Sequence, residues 1–284
     1  MHYDDNMKNT TILIAVILLL FIAGCTMKKT QTDEKMAITV FAADKADAIL
    51  IQTAEGAVLI DAGLSENSED LTDAMEDRGV TSLDALIITH YDQDHVGGAD
   101  TVVENFDVEH VYVTYDSKDS DETDSFYSEL ARAGLQAVEI RGTQVFSIDG
   151  AVFTMYGARG GYDHDDSNNS SLIVEVSFGS CTYLFTGDAQ DERIAEFLAE
   201  YEGNPDFLKV PYHGHYTDGL KQMISALSPR TAVITNGEDE PAKKEMKQTL
   251  ALLSQKSIDV YETRYGTVTV TCTANGYEIT QDLQ

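Results

Sequence analysis

Apolar positions along the chain follow two regimes. Thr11 to Ala23 (TILIAVILLLFIA) is an almost unbroken apolar run, whereas from Ala37 onward apolar residues come in short runs or at helical spacing between polar punctuation. Ala37–Phe41, Ala48–Thr53 and Ala57–Asp61 read as strands, the last two joined by the turn residues Glu55-Gly56. Glu66–Arg78 reads as a helix ending before Gly79, and Leu83–Thr89 as a buried strand followed by a polar loop. Val96–Phe106, opening on Gly97-Gly98, reads as a helix, His110–Thr114 as a strand, and Glu122–Ala133 as a helix stopped by Gly134. A run of strands follows at Ala137–Arg141, Gln144–Ile148, Ala151–Tyr156, Leu172–Phe178 and Thr182–Thr186. Gln190–Tyr201, Leu220–Leu227 and Ala242–Leu253 have helical spacing. Phe207–Pro211, Thr231–Thr235, Val260–Tyr261, Thr267–Thr271 and Tyr277–Ile279 read as strands.

Roughly a dozen strands mixed with about five helices predict an α/β protein with two sheets covered by helices. Polar loops recur directly after buried strands, at 90–95, 187–189 and 212–215. Loops in that position are where an α/β protein keeps its chemistry.

The first run stands apart from this core. As a helix its thirteen residues would span about 20 Å, short of the roughly 30 Å of a bilayer's hydrocarbon core. Preceded by Lys8, it reads as the apolar region of a signal peptide. It ends in Ile22-Ala23-Gly24-Cys25, which resembles a bacterial lipobox. That resemblance implies a signal peptide over residues 1–24, acylation of Cys25, a lipid partner and a position on the extracytoplasmic side of the cell membrane. Residues 25–36 are polar and aperiodic and read as a tether to a domain over 37–284. Cys181 and Cys272 show no metal-binding spacing; an exported chain would allow them to pair, but they read as ordinary strand residues. The formal net charge is −30, and near −29 without residues 1–24. Such a field disfavours broad nucleic-acid binding unless a bound metal or local site reverses it.

The chemistry concentrates in His90-Tyr91-Asp92-Gln93-Asp94-His95-Val96-Gly97-Gly98, directly after the apolar strand. Four ligand-type side chains within six residues mix imidazole and carboxylate, which suits a first-row divalent metal. Asp188 follows a strand in Thr186-Gly187-Asp188, where an aspartate on its own would be a helix N-cap. Leu208-Lys209-Val210-Pro211-Tyr212-His213-Gly214-His215 brings a histidine pair past another strand.

Taken in order, these segments resemble the metallo-β-lactamase fold superfamily. Leu59-Ile60-Asp61-Ala62-Gly63 looks like its first motif. His90, Asp92, Asp94 and His95 match its second, with aspartate for the middle histidine, and Gly187-Asp188 and His213 match later ligand motifs. Within the superfamily the chain is most similar to the ComEC-like competence branch, through Ala46–Ile51, Asn168–Leu172, Lys209–Gly214 and Tyr261–Val270.

The resemblance implies an αββα four-layer sandwich and metal-assisted hydrolysis. It implies two divalent ions, zinc or manganese, sharing Asp188. His90 and Asp92 would hold one, and Asp94, His95 and His213 the other. Asp94 and Asp188 would thereby carry the catalysis, Asp61 would orient a ligand imidazole, and His215 and Tyr212 are candidates for substrate contact or leaving-group protonation. Carboxylate in place of imidazole hardens the site and favours phosphodiester over acyl substrates. A metal-poor scaffold and a lactone- or β-lactam-cleaving hydrolase are the alternatives. The chain departs from the branch pattern at Tyr212, where a histidine is common, and has no clear third-motif histidine; His164 is the nearest substitute.

Overall fold

A computed structural model describes residues 35–115, 118–160, 162, 167–238 and 243–283. Cys25, the signal-peptide segment and His164 lie outside the described residues. Fifteen strands form two mixed sheets among them. The first holds β1 (Met36–Val40), β2 (Ala48–Gln52), β3 (Ala57–Ala62), β4 (Ser82–Ile88), β5 (Asp107–Val113), β6 (Ala137–Glu139), β14 (Val268–Thr273) and β15 (Gly276–Gln281). Its order is β15-β14-β1-β2-β3-β4-β5-β6. The second holds β7 (Thr143–Ile148), β8 (Ala151–Tyr156), β9 (Ile173–Phe178), β10 (Cys181–Phe185), β11 (Phe207–Lys209), β12 (Thr231–Ile234) and β13 (Asp259–Glu262), in the order β13-β12-β11-β10-β9-β8-β7.

Period-two alternation sends each strand's side chains to two different cores. Ile49, Ile51, Val58, Ile60 and Ile87 of the first sheet meet Phe153, Met155, Val174, Tyr183, Phe185 and Phe207 of the second in one buried cluster. Leu50, Leu59, Leu86 and Ile88 face outward onto Leu71 and Met75 of α1 (Ser68–Glu76), Val102 of α3 (Ala99–Asn105), and Phe126 and Leu130 of α4 (Asp121–Ala133). On the opposite side Leu184, Leu208, Ala232 and Ile234 face α5 (Asp191–Leu198), α6 (Asp218–Leu227) and α7 (Lys244–Gln255) through Ile194, Leu220, Met223, Ile224 and Leu253. Three apolar layers between four structural layers give the expected αββα sandwich. Strands buried on both faces read as continuous apolar runs in the sequence for this reason. Among the described residues no helix is long and apolar enough to cross a membrane.

The continuous helix expected over Val96–Phe106 is instead two pieces, a turn α2 (Gln93–Val96) and α3, hinged at Gly97-Gly98. The turn begins early because Asp92 has an extended backbone and its carbonyl already accepts from the Val96 amide at 3.0 Å. Gly98 packs on the β3 loop so tightly that a Cβ would lie 2.4 Å from the Ala62 carbonyl oxygen. The strand expected over Phe207–Pro211 ends at Lys209 in regular pairing, since Pro211 has no amide to donate.

Both sheets place parallel strands at their centres: β3, β4 and β5 in one, β10, β11 and β12 in the other. Loops leaving the carboxyl ends of parallel strands share one edge, so Asp61, the 90–95 loop, Asp188 and the 211–215 loop converge. A register shift between β2 and β3 at Ala48/Ile49 bends the entry to β2 and aims Asp47 the same way.

Candidate metal centre

The loop after β4 is held from both sides. Asp61, at the end of β3, accepts from the Thr89 amide and hydroxyl, each at 2.7 Å. The Asp47 amide donates to the Asp94 carbonyl at 3.0 Å, and the Gly63 amide donates to the Asp47 carbonyl at 2.8 Å. Three of the site's non-glycine residues adopt left-handed backbone, with φ of 57° at Asp61, 49° at Tyr212 and 47° at His213. That conformation costs free energy and persists only where surrounding contacts impose it, which is common at functional sites.

Ligand-type atoms of Asp94, His95, Asp188 and His213 all lie within 4.8 Å of one another. Asp188 offers Oδ1 to His95 Nε2 at 3.3 Å and Oδ2 to His213 Nε2 at 3.1 Å. Asp94 Oδ2 is 3.3 Å from the same His213 nitrogen, and the two Nε2 atoms face each other at 3.4 Å.

The hydrogen bonds on the far sides of the rings fix what those nitrogens are. His95 Nδ1 is 2.7 Å from Asp61 Oδ2, so it carries the proton and donates it to the carboxylate. His213 Nδ1 is 2.9 Å from the Thr235 carbonyl, a pure acceptor, so it too is the N–H. Thr89 Oγ1 already donates to Asp61 and therefore accepts from His90 Nδ1 at 3.2 Å. Each imidazole in its neutral form thus turns an Nε2 lone pair inward. Two such lone pairs 3.4 Å apart, flanked by two carboxylates, repel unless a proton or a metal ion sits among them. The donor set of two imidazoles and two carboxylates therefore fits a first-row divalent ion. The carboxylate–histidine arrangement of Asp61 and His95 is the outer-sphere support that ligand histidines need.

His90 and Asp92 stand beside this group rather than in it. His90 is fully buried, its ring centroid 4.0 Å from that of His95, and its Nε2 has no hydrogen-bond partner. Asp92 Oδ2 is 3.8 Å away, while Oδ1 accepts from Lys118 at 2.8 Å and from Ser167. His215 is exposed and packs against Tyr212 in a tilted ring contact with centroids 5.0 Å apart. Tyr212 itself lines the cavity of about 610 Å³ in front of the site, along with Asp92, Asp94 and Asp188. The Cys181 and Cys272 thiols are free and buried, away from this edge.

Reading the sequence alone misses a second tier. Lys209 is fully buried at the end of β11, its Nζ 2.5 Å from Asp47 Oδ2, 3.0 Å from the Gly187 carbonyl and 3.5 Å from Asp188 Oδ1. Thr235 donates to Asp47 Oδ1 at 2.6 Å, its carbonyl accepting from His213. A lysine interrupting the apolar run Phe207-Leu208-Lys209-Val210 is the signal that was there to read, because an unpaired ammonium is almost never fully buried.

The charge coupling is strong. Burial and the neighbouring His95 push the His90 imidazole down to about 4, keeping it neutral. Burial also works against protonation of His95 and His213, yet Asp188 outweighs it at both, joined by Asp61 and Asp47 at His95 and by Asp94 at His213, and holds each above the usual histidine range. Burial works against ionisation of Asp188, Asp94 and Asp47, but nearby cationic groups keep all three below the usual carboxylate range. In metal-free protein the raised imidazoles contribute stability that is complete below about pH 6.5 and lost as pH rises through their folded values. The lowered carboxylates contribute stability present above about pH 3.8 and lost as pH falls. Metal binding has the opposite slope to the imidazole contribution, because it needs those nitrogens unprotonated. Melting temperatures in EDTA are therefore expected to fall from pH 6 to 9, while the gain on adding Mn²⁺ widens. A metal-induced gain independent of pH would show that these imidazoles are not the ligands.

The family model described as the Metallo-beta-lactamase superfamily matches residues 43–237, which contain the whole ligand set. The chain belongs to that superfamily. Its resemblance to the competence branch also holds. It is 27% identical over 271 residues to ComE operon protein 3 of Bacillus subtilis, covering 89% of this chain and 34% of that protein. It is 25% identical over 232 residues to competence protein ComA of Neisseria gonorrhoeae, covering 77% and 30% respectively. The chain thus spans about a third of the length of these curated relatives. Among solved structures, the metallo-beta-lactamase fold protein YhfI of Bacillus subtilis superposes with a TM-score of 0.55 at 14% identity, covering 82% of this chain and 98% of that one. CmlA, a diiron β-hydroxylase of Streptomyces venezuelae, superposes with a TM-score of 0.54 at 16% identity over 89% of this chain and 55% of that one. The fold is shared, and the chain is a metallo-beta-lactamase superfamily member related to competence proteins.

Proposed function

We propose that the protein is a metal-dependent phosphodiesterase or nuclease, exported and lipid-anchored through Cys25 on the extracytoplasmic side of the membrane. The observation that carries the catalytic part is the inward convergence of the His95 and His213 Nε2 atoms with Asp94 and Asp188. Divalent ions held by these donors supply Lewis acidity and lower the pKa of a water. Asp188 has an oxygen on either side of the group, and His90 with Asp92 would complete a second position next to it. Asp61 and the Thr235 carbonyl orient the two imidazoles. Tyr212, which lines the cavity, and His215, packed on it, are placed to contact the substrate or protonate a leaving group.

The carboxylate-rich donor set supports phosphodiester rather than acyl chemistry, as do relatives whose names are those of competence proteins. Purified protein is expected to contain one or two divalent ions per chain, and to cleave bis(p-nitrophenyl) phosphate or single-stranded DNA with Mn²⁺ or Zn²⁺. Metal without turnover on any phosphodiester would redirect the search to acyl substrates, and no metal at all would favour a scaffold role. The anchor is tested separately by mass spectrometry of native protein. An acylated N-terminal Cys25 is expected, and a retained, unmodified 11–23 segment would refute it.

A further inference from the structure

We propose that Lys45 and Lys118 form a two-sided bracket that draws an anionic phosphodiester into this cavity; the proposal rests on the phosphodiester reading above. The two lysines pair with different carboxylates of the ligand loop, Asp94 and Asp92. Lys45 Nζ is 3.8 Å from Asp94 Oδ2 and 5.8 Å from the centroid of the Tyr212 ring. Lys118 Nζ is 2.8 Å from Asp92 Oδ1. Both line the same cavity, with side chains 40% and 50% exposed.

Stability does not account for them, since exposed ion pairs of this kind contribute about 0–1 kcal/mol. Their placement matters more against the rest of the molecule. The chain carries 19 basic and 49 acidic residues, a field that repels any polyanion from a distance. Among the described residues, the cavity is itself lined by five carboxylates, those of Asp44, Asp92, Asp94, Glu122 and Asp188, and by no cationic side chain other than these two. With two divalent ions bound, the lining would hold about one net negative charge without the lysines and about one net positive charge with them. The lysines therefore decide the sign of the potential that an incoming phosphodiester meets.

Their contacts also suit such a role. Asp94 Oδ2 is shared between Lys45 and His213 Nε2, which is 3.3 Å away, so an ion bound by that oxygen would displace the Lys45 ammonium. A four-carbon stem lets it swing toward an anion in the cavity. On the other side Lys118 uses the oxygen of Asp92 turned away from His90, so it need not move. Asn168 adds a neutral contact: it lines the cavity, is 8% exposed, and its amide oxygen has no hydrogen-bond partner.

The test uses the Mn²⁺-loaded protein and two readouts. The first is calorimetric binding of diphenyl phosphate, an anionic diester with a poor leaving group. The second is the KM for bis(p-nitrophenyl) phosphate. Replacing both lysines, Lys45→Ala with Lys118→Ala, is expected to weaken diphenyl phosphate binding and raise KM by at least about 10-fold each, lowering kcat less, and to flatten the salt dependence. Lys45→Arg with Lys118→Arg should return both values to within about 3-fold of wild type, because charge is restored. Metal content should match wild type in every variant. Unchanged binding and KM in the double-alanine variant would overturn the bracket while leaving the phosphodiesterase reading intact. So would wild-type protein that does not bind diphenyl phosphate yet turns over the nitrophenyl diester. Lysine-dependent binding without any turnover would uphold the bracket and sink the phosphodiesterase reading instead.

Discussion

Asp188→Asn is expected to abolish metal retention and to lower turnover by at least about 10³-fold, roughly 4 kcal/mol of transition-state stabilisation. The asparagine keeps size and shape but cannot supply two anionic oxygens. In the wild type one oxygen lies 3.3 Å from His95 Nε2 and the other 3.1 Å from His213 Nε2, so a single substitution touches both imidazoles of the group. Removing the charge also removes what holds cations beside two imidazoles and a buried lysine. The competing expectation, that Asp188 is an N-cap of α5, is excluded by position. That helix runs Asp191–Leu198, and the residue at its cap is Gln190. A lost cap would in any case cost only about 0.5–2 kcal/mol of stability and leave metal bound, and asparagine caps nearly as well as aspartate. Elemental analysis beside a thermal melt separates these outcomes. A folded Asp188→Asn protein with wild-type metal content would remove Asp188 from the site.

The sandwich was legible in the sequence because its strands are buried on both faces and its helices on one, so run length and spacing told them apart. Ile49, Ile51, Val58 and Ile60 point to the inter-sheet core and Leu50 and Leu59 to the helices, as alternation requires. The 90–95 loop was legible for a local reason: its ligand-type residues are neighbours in sequence. Asp188 and His213 became legible only as members of an ordered set of motifs, since each lies at least ninety residues from the loop and nothing local marks it. Asp61 was read as a partner of a ligand imidazole, and in the structure it hydrogen-bonds the His95 imidazole. What stayed hidden was the network behind the ligands. Asp47, Lys209 and Thr235 come from three different strand ends, and their meeting depends on the register of β2 against β3 and of β11 against β12. The break at Gly97-Gly98 was hidden as well, because helical spacing continues across it and only the close approach of the β3 loop forbids one straight helix.

Lys209→Met is expected to destabilise the metal-free protein by about 3–5 kcal/mol, although methionine fills nearly the same volume. Burial alone would drive the Lys209 ammonium towards neutrality, but Asp47 and Asp188 outweigh it and hold its affinity for a proton above the usual lysine range. The ammonium therefore stays charged and is the main cation that makes the buried Asp47 carboxylate tolerable, sharing the compensation of Asp188 with His213 and His95. Its removal leaves Asp47, 1% exposed, with the Thr235 hydroxyl as its remaining close donor. An uncompensated buried charge costs far more than the lost packing, which for a volume-conserving swap is less than about 1.5 kcal/mol. At 2–4 °C per kcal/mol for a domain of this size, the melting temperature should fall by roughly 6–20 °C. The cause can be isolated by adding Asp47→Asn. If the penalty is electrostatic, the double variant should recover at least half of the loss, because the stranded charge is gone. Bound metal should also recover part of it, by compensating Asp188. If Lys209 only fills space, Asp47→Asn will rescue nothing and its own cost will add to that of Lys209→Met. Additive losses in the two-residue cycle would remove Lys209 from the electrostatics of the site and leave it a packing residue.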